Sequence, residues 1–383
     1  MLVSIGVLVA CGTKYSASSD GLVLVSSQGS NVVQSFSFSL GSGHVSSISG
    51  PPATPGAPSA MVLDPGGEFA YVIVGNSIAA YKVNSNGTLT ASGSPVTDST
   101  PVALTMDAAG KFLFVAEGMG AGVSVYSIGS SASLTLVPGS YTFPATLQPP
   151  NFVSVAATPT VFPKLNAVCS TAGGNNPPTS EFLYAADSAN NVVWEFKVDP
   201  SSGALGNTVG FTEVQSISAG SVPSGVAVDP CNRFVYVANN LSNNISAYTI
   251  CSAVLLPACP SADGTLVPVS GSPFSVSGGA NGPGPLVVDP FGNTLYVVDT
   301  DSSMISVFRI SPVSGSLTTG NPSVVATGAK PTSIAIRSDD SWLFVTNFTG
   351  GTLSQYSVTP ATGGLSPQPA IATDNYPWGV AVK

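Results

Sequence analysis

One short pattern recurs along this chain and constrains its fold more than any other feature. The pattern is apolar-x-x-aromatic-x-apolar, and the sequence contains seven copies of it. The copies begin at Val33, Ile78, Val123, Val193, Ile245, Ile305 and Leu353. Such alternation is typical of a β-strand, in which successive side chains point to opposite faces. Seven copies of one strand signature predict seven copies of one structural unit.

The spacing of these copies indicates what the unit is. Their aromatic residues are separated by 45, 45, 70, 52, 60 and 48 residues along the chain. A period of about 40–50 residues is typical of a four-stranded propeller blade. We interpret the two long separations as blades that carry insertions. The pattern also places apolar residues on both faces, as expected for a strand packed between two neighbouring blades.

Further strands accompany each copy of the pattern. A short strand of small apolar residues ends in an Asp-Pro turn, as at Val226–Pro230 and Leu286–Pro290. In such a turn proline presets φ and the carboxylate bonds backbone N–H groups. A second strand that ends in a polar residue follows, for example Phe234–Asn239. We predict the order inner, second, third and outer strand, with outer strands at Gly87–Thr90 and Gly315–Thr318.

The two ends of the repeat array predict how the structure closes. The first unit begins with its second strand, Leu22–Val25, and the stretch Trp378–Lys383 has the character of an inner strand without partners. Pairing of these two strands would complete one blade and remove two open sheet edges. We therefore predict an all-β fold, one closed seven-bladed β-propeller of four-stranded antiparallel blades over residues 21–383. An open solenoid is the alternative, and it would need capped ends.

The composition excludes several classes of partner. Only 8% of the residues are charged, the formal net charge is −9, and the ten Lys and Arg residues are scattered singly. Without a basic stripe that could neutralise phosphates, nucleic-acid binding is not expected. No apolar run reaches the roughly 20 residues that a helix needs to span a bilayer.

The first residues resemble the lipobox of bacterial lipoproteins. An apolar run ends in Leu8-Val9-Ala10-Cys11, and a polar stretch follows, although no basic residue precedes the run. The resemblance implies a signal peptide at residues 1–10, a lipid on Cys11 and a tether at 11–20. The protein would then be exported and held at the bacterial cell envelope through its lipid, or secreted. A plain secretory signal and a chance cysteine are the alternatives.

Four further cysteines suggest disulfide bonds, because cysteines in even number typically pair in an exported chain. Cys251 and Cys259 flank an insertion after the third strand of the fifth blade, so we predict a local bridge between them. Cys169 and Cys231 belong to equivalent connections of neighbouring blades and are predicted to pair. Two buried free thiols are the alternative for this second pair.

The repeated strands resemble those of two propeller families. Pro223–Pro230 followed by Phe234–Asn239, with a Gly-x-Leu outer strand at Gly264–Leu266, resembles the lactonase family, which includes propeller-type 6-phosphogluconolactonases. Phe344–Asn347 is similar to the Tyr-Val-Thr-Asn repeats of surface propellers. The resemblance covers about residues 20–383. It implies the propeller fold, whereas blade motifs specify activity poorly.

The catalytic groups of the lactonase family have no matching positions in this chain. Lactonising relatives use histidine, arginine and glutamate in the central funnel, whereas the single histidine here, His44, lies in a predicted turn at the rim. None of the three arginines is predicted to face the funnel. We therefore assign no catalytic residue and retain Glu117, Asp187 and Lys330 as weak candidates.

One set of functional groups converges in the predicted fold. The second strands should end on the same face as the loops that lead into the inner strands. These ends and loops carry groups suited to a polar ligand: Glu117, Asp187, Asn239, Asp299, Asn347, Lys330, Tyr376 and Trp378. The alternative is that Asp and Asn at strand ends bond local turn backbone. We interpret Asp299-Thr300-Asp301 as a turn rather than a calcium site, and we predict no metal or cofactor.

Three functions stay open at the level of sequence. The first is an exported, lipid-anchored propeller that binds a small polar ligand or an envelope protein without catalysis. The second is a lactonase-like hydrolase that opens a sugar lactone, with Asp187 or Glu117 as base and Lys330 as electrostatic partner. The third is a structural surface module with contacts in the insertions Tyr141–Ser180 and Cys251–Asp263. The missing catalytic residues favour the first function and argue against an enzyme.

Overall fold

The chain folds into seven separate antiparallel sheets, five of four strands and two of five. The computed structural model describes residues 20–118, 122–138, 151–158, 181–206, 215–251 and 264–383. Each sheet holds its strands in the predicted order, from inner through second and third to outer strand. The prediction of a seven-bladed β-propeller is therefore confirmed. We number the sheets as blades 1 to 7 in chain order.

The strands are short and follow one another blade by blade. Those of blades 1 to 3 are β1 (Asp20–Ser27), β2 (Val32–Ser39), β3 (Val45–Ile48), β4 (Pro58–Leu63), β5 (Phe69–Val74), β6 (Ser77–Val83), β7 (Leu89–Thr97), β8 (Pro101–Met106), β9 (Phe112–Glu117), β10 (Val123–Ile128) and β11 (Leu134–Leu136). A single-turn 3₁₀-helix, Ser130–Ala132, precedes β11. Blade 4 contains β12 (Phe152–Ala157), β13 (Glu181–Asp187), β14 (Val192–Val198), β15 (Leu205–Gly206) and β16 (Gln215–Ser218).

The remaining blades repeat the same layout. Blade 5 contains β17 (Pro223–Val228), β18 (Phe234–Asn239), β19 (Asn244–Ile250), β20 (Leu266–Pro268) and β21 (Phe274–Ser275). Blades 6 and 7 contain β22 (Pro283–Val288), β23 (Thr294–Asp299), β24 (Met304–Ile310), β25 (Leu317–Ala326), β26 (Pro331–Ile336), β27 (Trp342–Asn347), β28 (Thr352–Thr359) and β29 (Gly364–Ala372). The last strand is β30 (Pro377–Val382). In blades 4 and 5 the outer position is divided between two short strands.

Blade 1 is completed by the far end of the chain, as predicted. Strand β30 pairs antiparallel with β1, and Val23, Leu24 and Val25 lie opposite Val382, Ala381 and Val380. The backbone N–H of Gly379 also donates to the Ser26 hydroxyl over 2.8 Å. This pairing covers the β1 edge and closes the ring, so no open solenoid forms.

Two faces of the ring follow from the strand order. Inner strands run toward Asp turns, and second strands return to the loops that lead into the next inner strand. We call the face with the Asp turns the lower face and the opposite one the upper face. The predicted turn chemistry is confirmed: Asp229 accepts from Phe234 N over 2.9 Å, and Asp289 accepts from Asn293 N over 2.9 Å. These bonds hold the lower turns closed.

The core lies between blades rather than inside one central cluster. The buried apolar side chains form seven clusters, and each cluster is shared by two neighbouring blades. The aromatic residues of the repeated pattern are all buried in it: Phe36, Tyr81, Tyr126, Phe196, Tyr248, Phe308 and Tyr356. Full burial of one such side chain contributes about 1.5–3 kcal/mol. The blade interfaces therefore supply most of the apolar stabilisation.

In several pairs of neighbouring blades, a tyrosine hydroxyl of one blade donates a hydrogen bond to a glycine carbonyl of the next. Tyr236 in β18 donates its hydroxyl to the Gly315 carbonyl over 3.0 Å, and Tyr296 in β23 donates to the Gly363 carbonyl over 2.9 Å. Tyr184 in β13 makes the same contact with the Gly264 carbonyl over 2.7 Å. Each contact links a second strand to the turn before the outer strand of the following blade. The outer parts of these blades are thereby tied together in sequence.

Two of the four cysteines predicted to form disulfides are described by the structure. Cys231 and Cys251 are both buried and both disulfide-bonded. Cys169 and Cys259, their predicted partners, lie outside the described residues, so the pairing stays a prediction. Cys11 and the segments 1–10 and 11–19 also lie outside the described residues. Among the residues that are described, no helix has the length and apolar character needed to cross a membrane.

Candidate functional site on the upper face

The predicted ring of polar strand ends exists, but its members are turned into the blades. Glu117, Asp187, Asn239, Asp299 and Asn347 all end second strands at the upper face. All five side chains are buried, and the most exposed of them, Glu117, is only 5% exposed. Each bonds a side chain seven residues further along, on the third strand of its own blade. Their contact with a ligand stays a prediction that this geometry does not favour.

Asn239 and Asn347 occupy equivalent positions and make equivalent bonds. Their Oδ1 atoms accept from the backbone N–H of Gly220 and Gly328, over 3.0 Å in both cases. Their Nδ2 groups donate to a serine hydroxyl of the third strand over 2.9 Å. Both amides thus hold the loop that leads into the inner strand. This is the alternative given in the sequence analysis, in which a polar residue at a strand end bonds local backbone.

Asp187 is engaged by several donors of its own blade. Its carboxylate accepts from Asn151 N, Ala189 N and Trp194 Nε1, each over 3.0 Å, and from Asn190 Nδ2 over 2.6 Å. A carboxylate that accepts this many bonds is held in one orientation, and its oxygens are occupied by these donors. The geometry therefore does not support Asp187 as the base of a hydrolytic reaction.

Glu117 belongs to a buried pair of carboxyl groups that sequence reasoning did not find. Ser99 and Ser124 donate hydroxyl hydrogen bonds to Glu117, and Tyr126 donates to Asp98 over 2.9 Å. Burial raises the pKa of Glu117, and the neighbouring Asp98 carboxyl raises it further. The Asp98 carboxyl thus favours the protonated form of Glu117. Asp98 follows an outer strand, where no repeated pattern marks it.

Asp299 differs from its counterparts in blades 5 and 7. Its Oδ2 accepts from the Ser306 hydroxyl over 2.7 Å, whereas its buried Oδ1 has no hydrogen-bond partner. Burial raises the pKa of this carboxyl to about 7. Asp301, two residues later, is exposed on the turn that follows β23. Its carboxyl lies against Gly282, the residue before β22.

Three aromatic rings form an exposed cluster at the junction of blades 7 and 1. The centroid of Phe348 lies 5.0 Å from that of Tyr376 and 5.4 Å from that of Trp378. Tyr376 is 51% exposed and Trp378 is 36% exposed, unlike the aromatic residues of the core. We call Phe348, Tyr376 and Trp378 the aromatic cluster. Phe348 was not predicted, because it follows β27 outside any repeated strand.

Lys330 lies beside this cluster. Its backbone carbonyl accepts from the Phe348 N–H over 2.8 Å, and its side chain is exposed. Lys330 and Tyr376 precede the inner strands of blades 7 and 1, and both have positive φ, 58° and 57°. This left-handed conformation costs energy for a non-glycine residue and is frequent at functional sites. The structure thus brings together three of the eight predicted site residues, Lys330, Tyr376 and Trp378.

The described residues offer no ready metal site. No group of three or more His, Cys, Asp or Glu side chains among them is arranged to hold an ion.

The fold and its repeats match a known family. The family model described as "Lactonase, 7-bladed beta-propeller" matches residues 16–151, 148–254 and 272–379. Since these segments cover most of the chain, the protein belongs to this lactonase propeller family. No curated protein matches the chain in sequence.

Solved structures of similar fold include proteins described as lactonases. A putative 6-phosphogluconolactonase from Bacteroides fragilis superposes with a TM-score of 0.73 at 20% identity, covering 97% of this chain and 100% of the other. The periplasmic gluconolactonase PpgL from Pseudomonas aeruginosa gives a TM-score of 0.73 at 19% identity, covering 95% and 99%. At such identities the likeness establishes the shared fold alone.

Family membership corrects the function favoured by the sequence. A non-catalytic binder at the cell envelope was preferred because no family catalytic residue could be placed by position. The match to the lactonase family over most of the chain favours the hydrolase alternative instead. The preference was wrong because it rested on the absence of recognisable catalytic residues, whereas the repeated blades over most of the chain match the lactonase family.

Proposed function

We propose that this protein hydrolyses a lactone at its upper face. The observation that carries this proposal is the match of the lactonase family model to three segments spanning residues 16 to 379. The exposed aromatic cluster and the adjacent Lys330 support it, because an apolar surface beside a single positive charge suits a sugar-like ring with a reactive carbonyl.

In this proposal the aromatic cluster binds the ring and Lys330 stabilises the charge that develops. Water attacks the lactone carbonyl carbon, so that a C–O bond forms and the carbonyl oxygen becomes negative. The Lys330 ammonium lies on the same face and can stabilise this oxyanion. Collapse of the intermediate breaks the ring C–O bond, and the released alkoxide takes up a proton. The product is an open-chain hydroxy acid.

Asp301 is the carboxylate that we assign to the attacking water. It is exposed at the upper face in blade 6, next to the blade that carries Lys330. The earlier candidates Glu117 and Asp187 are buried in blades 3 and 4, away from Lys330. A base must reach the water whose proton it accepts, so an exposed carboxylate on a neighbouring blade fits this role better.

The test is hydrolysis of a lactone panel that includes glucono-1,5-lactone and 6-phosphogluconolactone, with spontaneous hydrolysis subtracted. Lys330→Met and Asp301→Asn should each lower kcat/KM by about 10²-fold, the size typical of one oxyanion donor or one base. Lys82→Met and Glu68→Gln are matched controls, because both residues are exposed at the lower face. Turnover equal to the blank, or unchanged kinetics in Lys330→Met, would overturn the proposal.

A further inference from the structure

The basic residues of this protein are distributed very unevenly between its two faces. Eight of the ten lie in the described part of the chain, and seven of these eight are at the lower face: Lys82, Lys111, Lys197, Arg233, Arg309, Arg337 and Lys383. The eighth is Lys330 at the upper face. Lys14 and Lys164 lie outside the described residues.

Strand register explains the lower position of these residues. Lys82, Lys197 and Arg309 lie near the ends of third strands, opposite residues that begin second strands at the lower face, as the pairs Lys82–Phe69 and Arg309–Thr294 illustrate. The other four belong to turns between inner and second strands or directly follow inner strands.

Several lower-face cations already have partners. Arg233 forms a buried ion pair with Asp229 over 2.8 Å. Lys383 donates through Nζ to the backbone carbonyls of Gly66 and Gly67 over 3.1 and 3.0 Å. Positive charge is thus used to hold lower turns, and it is not available to a ligand on the opposite face.

The upper face carries mainly acidic groups. Among the described residues, the carboxyls at its strand ends and lead-in loops that are not buried are those of Asp301 and Asp374. Against these two carboxyls stands the Lys330 ammonium, the one cation that the described part of the chain places at this face. Two unit charges 4 Å apart interact by about 1 kcal/mol in water and more in a partly desolvated site. A phosphate dianion bound here would therefore meet net repulsion.

From this charge distribution together with the aromatic cluster we infer that the upper face takes neutral, unphosphorylated sugar lactones and discriminates against phosphorylated ones. This inference rests on the proposed lactone hydrolysis. The aromatic cluster offers apolar ring faces to the C–H groups of a sugar, and no charge on the ligand is needed for that contact. The Lys330 ammonium is assigned to the carbonyl oxygen of the lactone and not to a phosphate group.

The experiment compares kcat/KM for glucono-1,5-lactone and for 6-phosphogluconolactone at low and at 0.3 M salt. At low salt the neutral lactone should be preferred at least about tenfold, which corresponds to roughly 1.4 kcal/mol. Salt screens exposed charges over about 10 Å at 0.1 M, so the preference should shrink as salt is added. Equal rates or a preference for the phosphorylated lactone would overturn the inference while leaving lactone hydrolysis intact.

A pair of charge variants tests the cause of the preference. Thr349→Lys adds a cation next to Phe348 on the upper face, whereas Ser85→Lys adds one to an exposed lower-face turn. Thr349→Lys should raise the relative rate with the phosphorylated lactone several-fold, and Ser85→Lys should leave it unchanged. An equal effect of both variants would contradict the proposed cause. Absence of turnover with either lactone would remove the proposed function and this inference with it.

Discussion

At the residue scale, the polar residues that end the second strands show how a carboxyl in place of an amide changes the hydrogen bonding of a position. In blades 5 and 7 the amides of Asn239 and Asn347 both accept from a loop N–H and donate to a serine. In blade 6 the same position is Asp299, and one of its oxygens is buried without a partner. An unpartnered buried polar atom costs about 1–3 kcal/mol. Asp299 is therefore a local weakness in an otherwise regular structure.

Replacing Asp299 by Asn should stabilise the protein by about 1–3 kcal/mol at pH 8 and by less at pH 5. The pKa of Asp299 is about 7 in the folded state, above the value of about 3.9 in the unfolded state. Between these values the folded state keeps a proton that the unfolded state has lost, so the contribution of Asp299 to stability falls as pH rises toward 7. Asparagine removes this dependence. Urea unfolding at the two pH values measures the difference.

Asp301→Asn is the control for this comparison, because Asp301 is exposed. It should leave the free energy of unfolding at pH 8 unchanged within about 0.5 kcal/mol, as is usual for a substitution at the surface. A destabilised Asp299→Asn variant at pH 8 would show that the carboxyl of Asp299 has a partner that only a carboxyl can satisfy.

At the scale of elements, the turn before each outer strand fits closely against the neighbouring blade. Gly315 has a φ of +72°, and a Cβ atom placed on it would lie 2.4 Å from a ring carbon of Phe234. Gly264 and Gly203 meet Phe182 and Phe112 in the same way. Glycine is needed at these turns both for the left-handed backbone and for the close approach of the next blade.

Gly315→Ala should destabilise the protein by about 1–3 kcal/mol beyond the cost of its backbone conformation, since the ring of Phe234 is buried and cannot move freely. Gly351→Ala is the matched control, because Gly351 also has positive φ, 58°, but nothing lies within 4 Å of its added Cβ. Thermal unfolding of both variants separates the cost of the left-handed backbone from the cost of the clash with Phe234. Equal losses of stability would show that packing between blades does not depend on these glycines.

The fold could be predicted from the sequence because each blade repeats the same local signals. The aromatic pattern marks every third strand, and Asp-Pro marks lower turns such as that at Asp289. The site could be predicted only in part. Tyr376 and Trp378 precede or begin an inner strand and so could be placed, whereas Phe348 joins them through a contact between two blades that no local pattern records. The burial of Asn239 could not be predicted from the sequence either, because it depends on the lead-in loop of its own blade, which covers the side chain.

At the scale of the whole molecule, several buried acids share one electrostatic property. Burial raises the pKa of Glu195 to about 8 and those of Glu181 and Asp340 to about 7, in addition to Asp299. These groups belong to blades 4, 6 and 7, so the effect is distributed around the ring. Each favours the folded state less as pH rises from about 4 toward its folded pKa.

The protein should therefore be most stable near pH 5 and should lose several degrees of thermal midpoint between pH 5 and pH 8. Protons are held by the folded state in this window and released on unfolding, which gives the negative slope. The double variant Glu195→Gln with Asp299→Asn should flatten the profile, because two of the four groups no longer titrate. A midpoint that rises or stays constant from pH 5 to pH 8 would contradict this prediction.

Closure of blade 1 by β30 sets a condition on folding during synthesis. Strand β1 is synthesised about 350 residues before β30, the strand that covers its edge. At about 5–20 residues per second this delay is roughly 20–70 s. Throughout that time Leu22, Val23 and Leu24 present an apolar strand edge on the nascent chain, open to pairing with another such chain on the same messenger RNA. The pairing that completes blade 1 in the finished molecule thus makes β1 the strand most dependent on protection at the ribosome.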